Sequence, residues 1–210
     1  IRQNLCEVAG RVMYIDCFNI SVDSIKSCLR TLDSIEVAPG SRKIAVLSGE
    51  NALGEDAYPV NYEAGLTLGD YNADEFIFVG LPETALPEDY NYYGHGRAVY
   101  DGAREVIKDR PVSFFDDLKA VAEKLRNETK PGDVILFKGI FRLPLFSIID
   151  HAFATAFTYK APYFSSIYCE DENFTALYFD TFKECGLQKC KHKSHTVTIP
   201  DKIGAIPVHR

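Results

Sequence analysis

Along the chain from Val12 to Lys138, short and nearly continuous apolar runs alternate with longer stretches in which apolar residues recur every third or fourth position. Val12-Met13-Tyr14-Ile15 reads as a strand, and Ile25, Cys28, Leu29 and Leu32 follow at helical spacing. Asp23 and Ser24 offer the oxygen acceptors that cap a helix start, and Pro39-Gly40 closes the unit with a loop. Lys43 to Leu47 is a second strand, Ser48-Gly49-Glu50 its turn, and Val60 to Leu68 a helix. Phe76 to Val79 is a third strand, ended by Gly80. After a loop rich in proline and tyrosine, the spacing predicts a helix over Ala98 to Lys108 and a fourth strand or strand edge over Val112 to Phe115. Asp116 and Asp117 sit where a helix N-terminus favours carboxylates, ahead of Leu118, Val121, Ala122 and Leu125. Lys130-Pro131-Gly132-Asp133 turns the chain into a fifth strand, Val134 to Lys138, ended by Gly139. Apolar strands separated by helices imply an α/β fold whose parallel sheet is covered on both faces.

Around Tyr159 the pattern changes. The remainder holds three of the six cysteines, more aromatics and a basic stretch from Lys189 to His195, without a long helical period. A boundary near residues 156–162 follows, with an α/β domain over 1–156 and a small β-rich appendage over 157–210. The length of 210 residues accommodates both parts. A formal charge of −7 repels phosphate backbones and anionic lipid, which argues against nucleic acid as a partner. No run approaches the roughly 18 apolar residues of a membrane span. The chain begins at Ile1 without a leader and reads as a fragment. The cysteines form no C-x-x-C pair, so reduced, partly buried thiols are expected over disulfides.

In open α/β sheets ligands bind beyond the carboxyl ends of the strands, which places Asp16 to Asn19, Ser48 to Glu50, Gly80 and Lys138-Gly139 on one rim. From such a strand end Asp16 can accept two hydrogen bonds from a ribose diol; a turn or N-cap aspartate is the alternative. Lys138 can offer a point charge to a phosphate or carboxylate, or it is a solvated strand-end lysine. Gly94-His95-Gly96 lacks the third glycine of a dinucleotide fingerprint and follows no strand. The five histidines give no convincing metal site. No G-x-x-x-x-G-K-[ST] and no G-x-S-x-G occur, so neither an ATPase acting alone nor a serine hydrolase is supported.

Several segments, in order, resemble the C-terminal domain of the Mur ligase family, in particular its D-alanyl-D-alanine-adding type. Tyr14-Ile15-Asp16-Cys17-Phe18-Asn19-Ile20-Ser21-Val22-Asp23-Ser24 is similar to V-I-D-D-x-Y-N-A-N-P-x-S. Ile44-Ala45-Val46-Leu47-Ser48-Gly49-Glu50 opens a stretch similar to I-A-V-L-G-D-M-x-E-L-G-E, and Lys130 to Gly139 is similar to K-P-G-D-V-V-L-V-K-G. The resemblance covers residues 10–150. It implies a mostly parallel, Rossmann-like sheet and the substrate-binding part of an ATP-dependent amide-bond ligase of peptidoglycan precursor synthesis. ATP, with Mg, would be held mainly by a P-loop domain N-terminal to Ile1. Asp16 would match the ribose-contacting aspartate, with Phe18 and Asn19 beside the nucleotide. Gly49, Lys138 and Gly139 would line the side taken by the precursor and D-alanyl-D-alanine. A cytoplasmic location is expected with such chemistry.

The departures are specific. N-A-N-P is Asn19-Ile20-Ser21-Val22 here, the G-D-M turn is Ser48-Gly49-Glu50, and the Ser-Arg after the Lys-Gly is Ile140-Phe141, with Arg142 placed to replace the displaced arginine. A second reading is therefore a catalytically degenerate binding or scaffold module. In the tail, Val197 to Val208 is similar to the V-x-I-P-x-x-I-x-x-x-P-V opening of leucine-rich repeats of the bacterial surface-protein type, and Phe182 to Leu187 weakly echoes another element of them. That resemblance implies a protein-binding tail and a natural chain continuing past Arg210.

Overall fold

The structure, a computed structural model, describes residues 3–50, 53–80, 95–140, 145, 147–153, 168–170, 174–179, 184–190, 202–203 and 206–207. The chain divides into two units, Ile1–Thr155 and Ala156–Arg210. In the first, the strands are β1 (Asn4–Val8), β2 (Arg11–Phe18), β3 (Lys43–Leu47), β4 (Glu75–Val79), β5 (Val112–Phe115) and β6 (Val134–Ile140). The helices are α1 (Val22–Ser34), α2 (Ala57–Leu66), α3 (His95–Val106), α4 (Leu118–Glu128) and α5 (Ser147–Phe153).

The six strands form one sheet in the order β1-β2-β6-β3-β4-β5, and every pairing except β1 with β2 is parallel. This is the mostly parallel α/β fold that the alternating pattern predicts. The last strand, β6, returns to the middle, between β2 and β3. It brings residues more than ninety positions apart into lateral register: Asp16 opposite Lys138, and Lys138 opposite Leu47. The core is the apolar strand centres, with Ile15, Ile44, Val46, Phe76, Phe78, Ile135 and Phe137 fully buried, and Leu29, Leu32, Val121 and Leu125 packed on them from the helices.

Besides shifts of two or three residues at the ends of α2 and α3, the sequence pattern and the structure differ in five places, one being that β6 continues through Gly139 to Ile140 and is not ended by that glycine. β1 has no counterpart among the five expected strands, because an edge hairpin strand alternates exposed and half-buried residues and lacks a continuous apolar run. Its reversal uses Ala9 and Gly10, both at positive φ. β2 extends to Phe18, so Asp16 lies within the strand and is neither a turn nor a cap residue. The N-cap of α1 is Ser21, whose hydroxyl accepts from Ser24 N while the Ser24 hydroxyl accepts from Ser21 N; Asp23 lies in the first turn. α5 had no expectation. It is tied down by Arg11, whose guanidinium lies 4.6 Å from the Phe153 ring centroid, and by Arg126, which donates to the carbonyls of His151 and Ala152. As expected, Asp117 caps α4 by accepting from Lys119 N at 2.9 Å.

At the amino ends of the parallel strands a charged cluster closes the sheet. The buried Asp133 carboxylate accepts from Arg42 N at 2.9 Å and Lys130 N at 3.0 Å, and Glu75 pairs with Arg42 and, at 2.9 Å, with Lys124. The opposite, carboxyl edge carries the groups considered below.

In the second unit, β7 (Tyr168–Glu170), β8 (Phe174–Phe179) and β9 (Glu184–Cys190) form an antiparallel sheet, and β10 (Lys202–Ile203) pairs with β11 (Ile206–Pro207). Much of the repeat-like stretch from Val197 lies outside the described residues, as do Phe182 and Lys183.

Candidate functional site

The site forms where β2, β6 and β3 end side by side, at the point where the strand order doubles back. On β2 the alternation of side chains puts Tyr14 and Asp16 on the face that α1 covers, and Cys17 on the other. Lys138 Nζ lies 2.9 Å from Asp16 Oδ2 and donates to the Asn19 carbonyl at 2.6 Å. Lys138 is 1% exposed and Asp16 8%, so this is a buried ion pair and not a solvated strand-end lysine. From α1 the Cys28 S–H donates to the same Oδ2 at 3.2 Å, and the Tyr14 O–H donates to Cys28 Sγ at 3.6 Å. Burial pushes the Cys28 thiol up to about 11 and also raises Tyr14, so both keep their protons at neutral pH. On the opposite face Cys17 donates to the Phe137 carbonyl at 3.4 Å, and burial pushes its thiol up to about 12. Cys6, Cys17 and Cys28 are free thiols.

The other residues expected at the rim take distinct places. Asn19 is exposed and contributes its main-chain carbonyl to Lys138; Phe18 before it is half-buried. Gly49 is buried just past β3. At Gly139 a Cβ would fall 2.6 Å from Leu145 Cδ1 and 3.2 Å from Ser48 Oγ, so glycine admits the Leu145 side chain at this point. Arg142 lies outside the described residues. The structure thus joins Asp16, Asn19 and Lys138 directly, with Gly139 and Gly49 on the adjoining strand ends.

Two participants, Cys28 and Tyr14, carry no signal of chemistry in the sequence, while Ser48 and Glu50 belong to the expected rim without an assigned role. Cys28 and Tyr14 read as core positions. Among the described residues the Ser48 hydroxyl is buried without a hydrogen-bond partner. Glu50, which reads as a turn residue, is fixed at both ends: its carboxylate accepts from Val22 N at 2.9 Å, at the start of α1, while its main chain exchanges hydrogen bonds with the fully buried Asn61 side chain. A carboxylate at a helix N-terminus meets the positive end of the helix dipole, so Glu50 fills the place to which an anion would be drawn.

The arrangement offers a ligand a hydrogen-bond acceptor more readily than a positive charge, because the Lys138 ammonium is already engaged. Among the described residues no group of His, Cys, Asp and Glu is disposed to hold a metal ion. The Asp16 carboxylate is an acceptor of the kind a sugar diol requires, while at the start of α1 Glu50 already takes the first amide, which an anion would otherwise occupy.

A family model described as Mur ligase, glutamate ligase domain, matches residues 2–141. The comparison with curated proteins gives no match. Among solved structures, the chain is similar to a MurF ligase from Thermotoga maritima in complex with ADP, at 20% identity and a TM-score of 0.53, covering 73% of this chain and 30% of that one. It is also similar to MurF from Acinetobacter baumannii, at 16% identity and a TM-score of 0.55, with the same coverage. At these identities the likeness is one of fold, and the chain spans about 30% of the length of those enzymes. Among the described residues, no helix is long and apolar enough to cross a membrane. With a mostly parallel sheet as expected and a family match over residues 2–141, the chain belongs to the Mur ligase, glutamate ligase domain family.

Proposed function

We propose that residues 1–156 act as the closing, substrate-binding domain of an ATP-dependent amide-bond ligase that adds D-alanyl-D-alanine to a UDP-linked peptidoglycan precursor in the cytoplasm. The observation that carries this reading is the rim at which Asp16, Asn19 and Lys138 meet, with an acceptor oxygen left over for a nucleotide sugar. ATP, when bound, supplies the activation of the precursor carboxylate; its phosphates and Mg are assigned to a separate P-loop domain. This chain's share is to hold the nucleoside end at Asp16, Phe18 and Asn19. Gly49, Lys138 and Gly139, with Arg142 by its place in the sequence, are assigned to the side of the incoming dipeptide, and closure shields the activated carboxylate from water.

The test uses the full-length product of the gene, incubated with ATP, Mg, a UDP-muramoyl tripeptide and D-alanyl-D-alanine. The expected result is ADP release that requires both substrates, and a product heavier by one dipeptide less water. ADP release indifferent to the dipeptide, or none from folded protein, overturns the reading.

A second reading, a degenerate binding or scaffold module, is favoured by Glu50. Its carboxylate on Val22 N places negative charge where an anionic ligand would dock. On that reading the full-length protein binds without turning over, and the repeat-like tail over 157–210 engages a protein partner.

A further inference from the structure

Both protein contacts of the Asp16 carboxylate converge on one oxygen. Lys138 Nζ and the Cys28 thiol reach Oδ2 at 2.9 and 3.2 Å, while among the described residues none donates to Oδ1, and the Asp16 side chain keeps 12% of its surface exposed. A lysine alone is a point charge that either oxygen can satisfy, and it leaves the Asp16 side chain free to exchange between χ1 rotamers. A second, directional donor on the same oxygen removes that freedom.

We propose that Cys28, backed by Tyr14, is a positioning residue that fixes Oδ2 inside the protein and leaves Oδ1 as the acceptor for a ligand hydroxyl. The inference rests on the reading that this rim meets the sugar of a nucleotide. A thiol is a weak donor to a neutral acceptor, but a carboxylate strengthens the bond. The Tyr14 O–H donating into Sγ polarises the S–H further, as in other hydrogen-bond chains. The raised thiol pKa keeps the S–H protonated across the neutral range. Cys28 shares the buried face of α1 with Ile25, Leu29 and Leu32 and is the one of the four that carries a donor.

The test separates donor from volume and ligand from geometry. Cys28→Ser keeps a donor and Cys28→Val keeps the bulk without one. In the 210-residue chain, labelled for NMR, three-bond couplings to the Asp16 carboxyl carbon report its χ1 rotamer. A single rotamer is expected in the parent and in Cys28→Ser, and averaging in Cys28→Val. Titration with ADP, followed at the amides of the rim, is expected to weaken about tenfold in Cys28→Val, the equivalent of one ordinary hydrogen bond, and to recover in Cys28→Ser. Binding of 2′,3′-dideoxy-ADP, which lacks the hydroxyls, is expected to be the same in all three. A single Asp16 rotamer in folded Cys28→Val overturns the positioning role, as does ADP affinity equal in parent and Cys28→Val. If ADP leaves the rim amides of the parent unmoved, the nucleotide reading of the rim falls, and the couplings still decide whether Cys28 positions Asp16.

Discussion

Single residues decide the chemistry at the carboxyl rim, and the ion pair of Asp16 with Lys138 is the one whose energetics can be argued furthest. A buried pair is weak evidence of stabilisation in itself, because desolvating both charges offsets most of their attraction; removing one partner strands the other. The Lys138 side chain is only 2% exposed, so it would be left charged and nearly dry. Asp16→Ala should therefore cost about 3 kcal/mol in urea unfolding, and adding Lys138→Met should recover most of that loss. The buried thiols give a pH dependence of definite sign. Cys28 and Cys17 are raised from 9.0 to about 11 and about 12, chiefly by burial. Above about pH 9 the unfolded chain sheds these protons while the folded chain holds them, so the unfolded state gains. Their contribution is complete below pH 9 and is lost as pH climbs toward about 11 and 12. Urea midpoints measured through that window should fall, and the fall should be shallower in Cys28→Ala than in the parent.

Elements meet closely here only where side chains are missing. Helices α2 and α3 cross at Gly65 and Gly102, and a Cβ on either would run into main chain: Gly65 into the Val99 carbonyl, Gly102 into the Tyr62 carbonyl. Main-chain atoms cannot step aside as a flexible side chain does, so Gly65→Ala should lower stability by about 3 kcal/mol despite the higher helix propensity of alanine. Thermal unfolding checks this, and the outcome to look for is a loss, since a surface helix glycine would show a gain. The sequence signalled the helices but not this crossing, because a glycine within a helical pattern reads only as a weak position. The N-terminus of α1 shows the same limit. Asp23 and Ser24 pointed to a helix start nearby, yet Ser21 is the cap, and Glu50, twenty-eight positions on, supplies the acceptor for Val22 N. A local pattern carries information about local hydrogen bonds, and the Glu50 contact is not local.

Across the first unit as a whole, the two ends of the parallel strands divide the work. The amino ends hold a charged cluster, with Glu75 at 3% exposure between Arg42 and Lys124; the carboxyl ends hold the Asp16–Lys138 pair. Glu75→Gln should cost about 2 kcal/mol in urea unfolding through the cations left without a counter-charge, and leave the ADP titration of the rim unchanged. Much of this plan is legible in the chain alone. Five of the six strands, the α/β class, the α4 cap at Asp117 and the family resemblance all follow from apolar periodicity and short motifs, because strands and helices record their own burial in their spacing. The edge strand β1 escaped that logic, since a strand wet on one side lacks the continuous apolar signal. What the sequence determined by itself is which segments fold, into what class, and that Asp16 and Lys138 lie toward the carboxyl ends of strands. That they stand against each other was decided only by the return of β6 between β2 and β3. Strand order is set by how helices cover the sheet faces, and only that order turns two separate charges, a core cysteine and a tyrosine into one network.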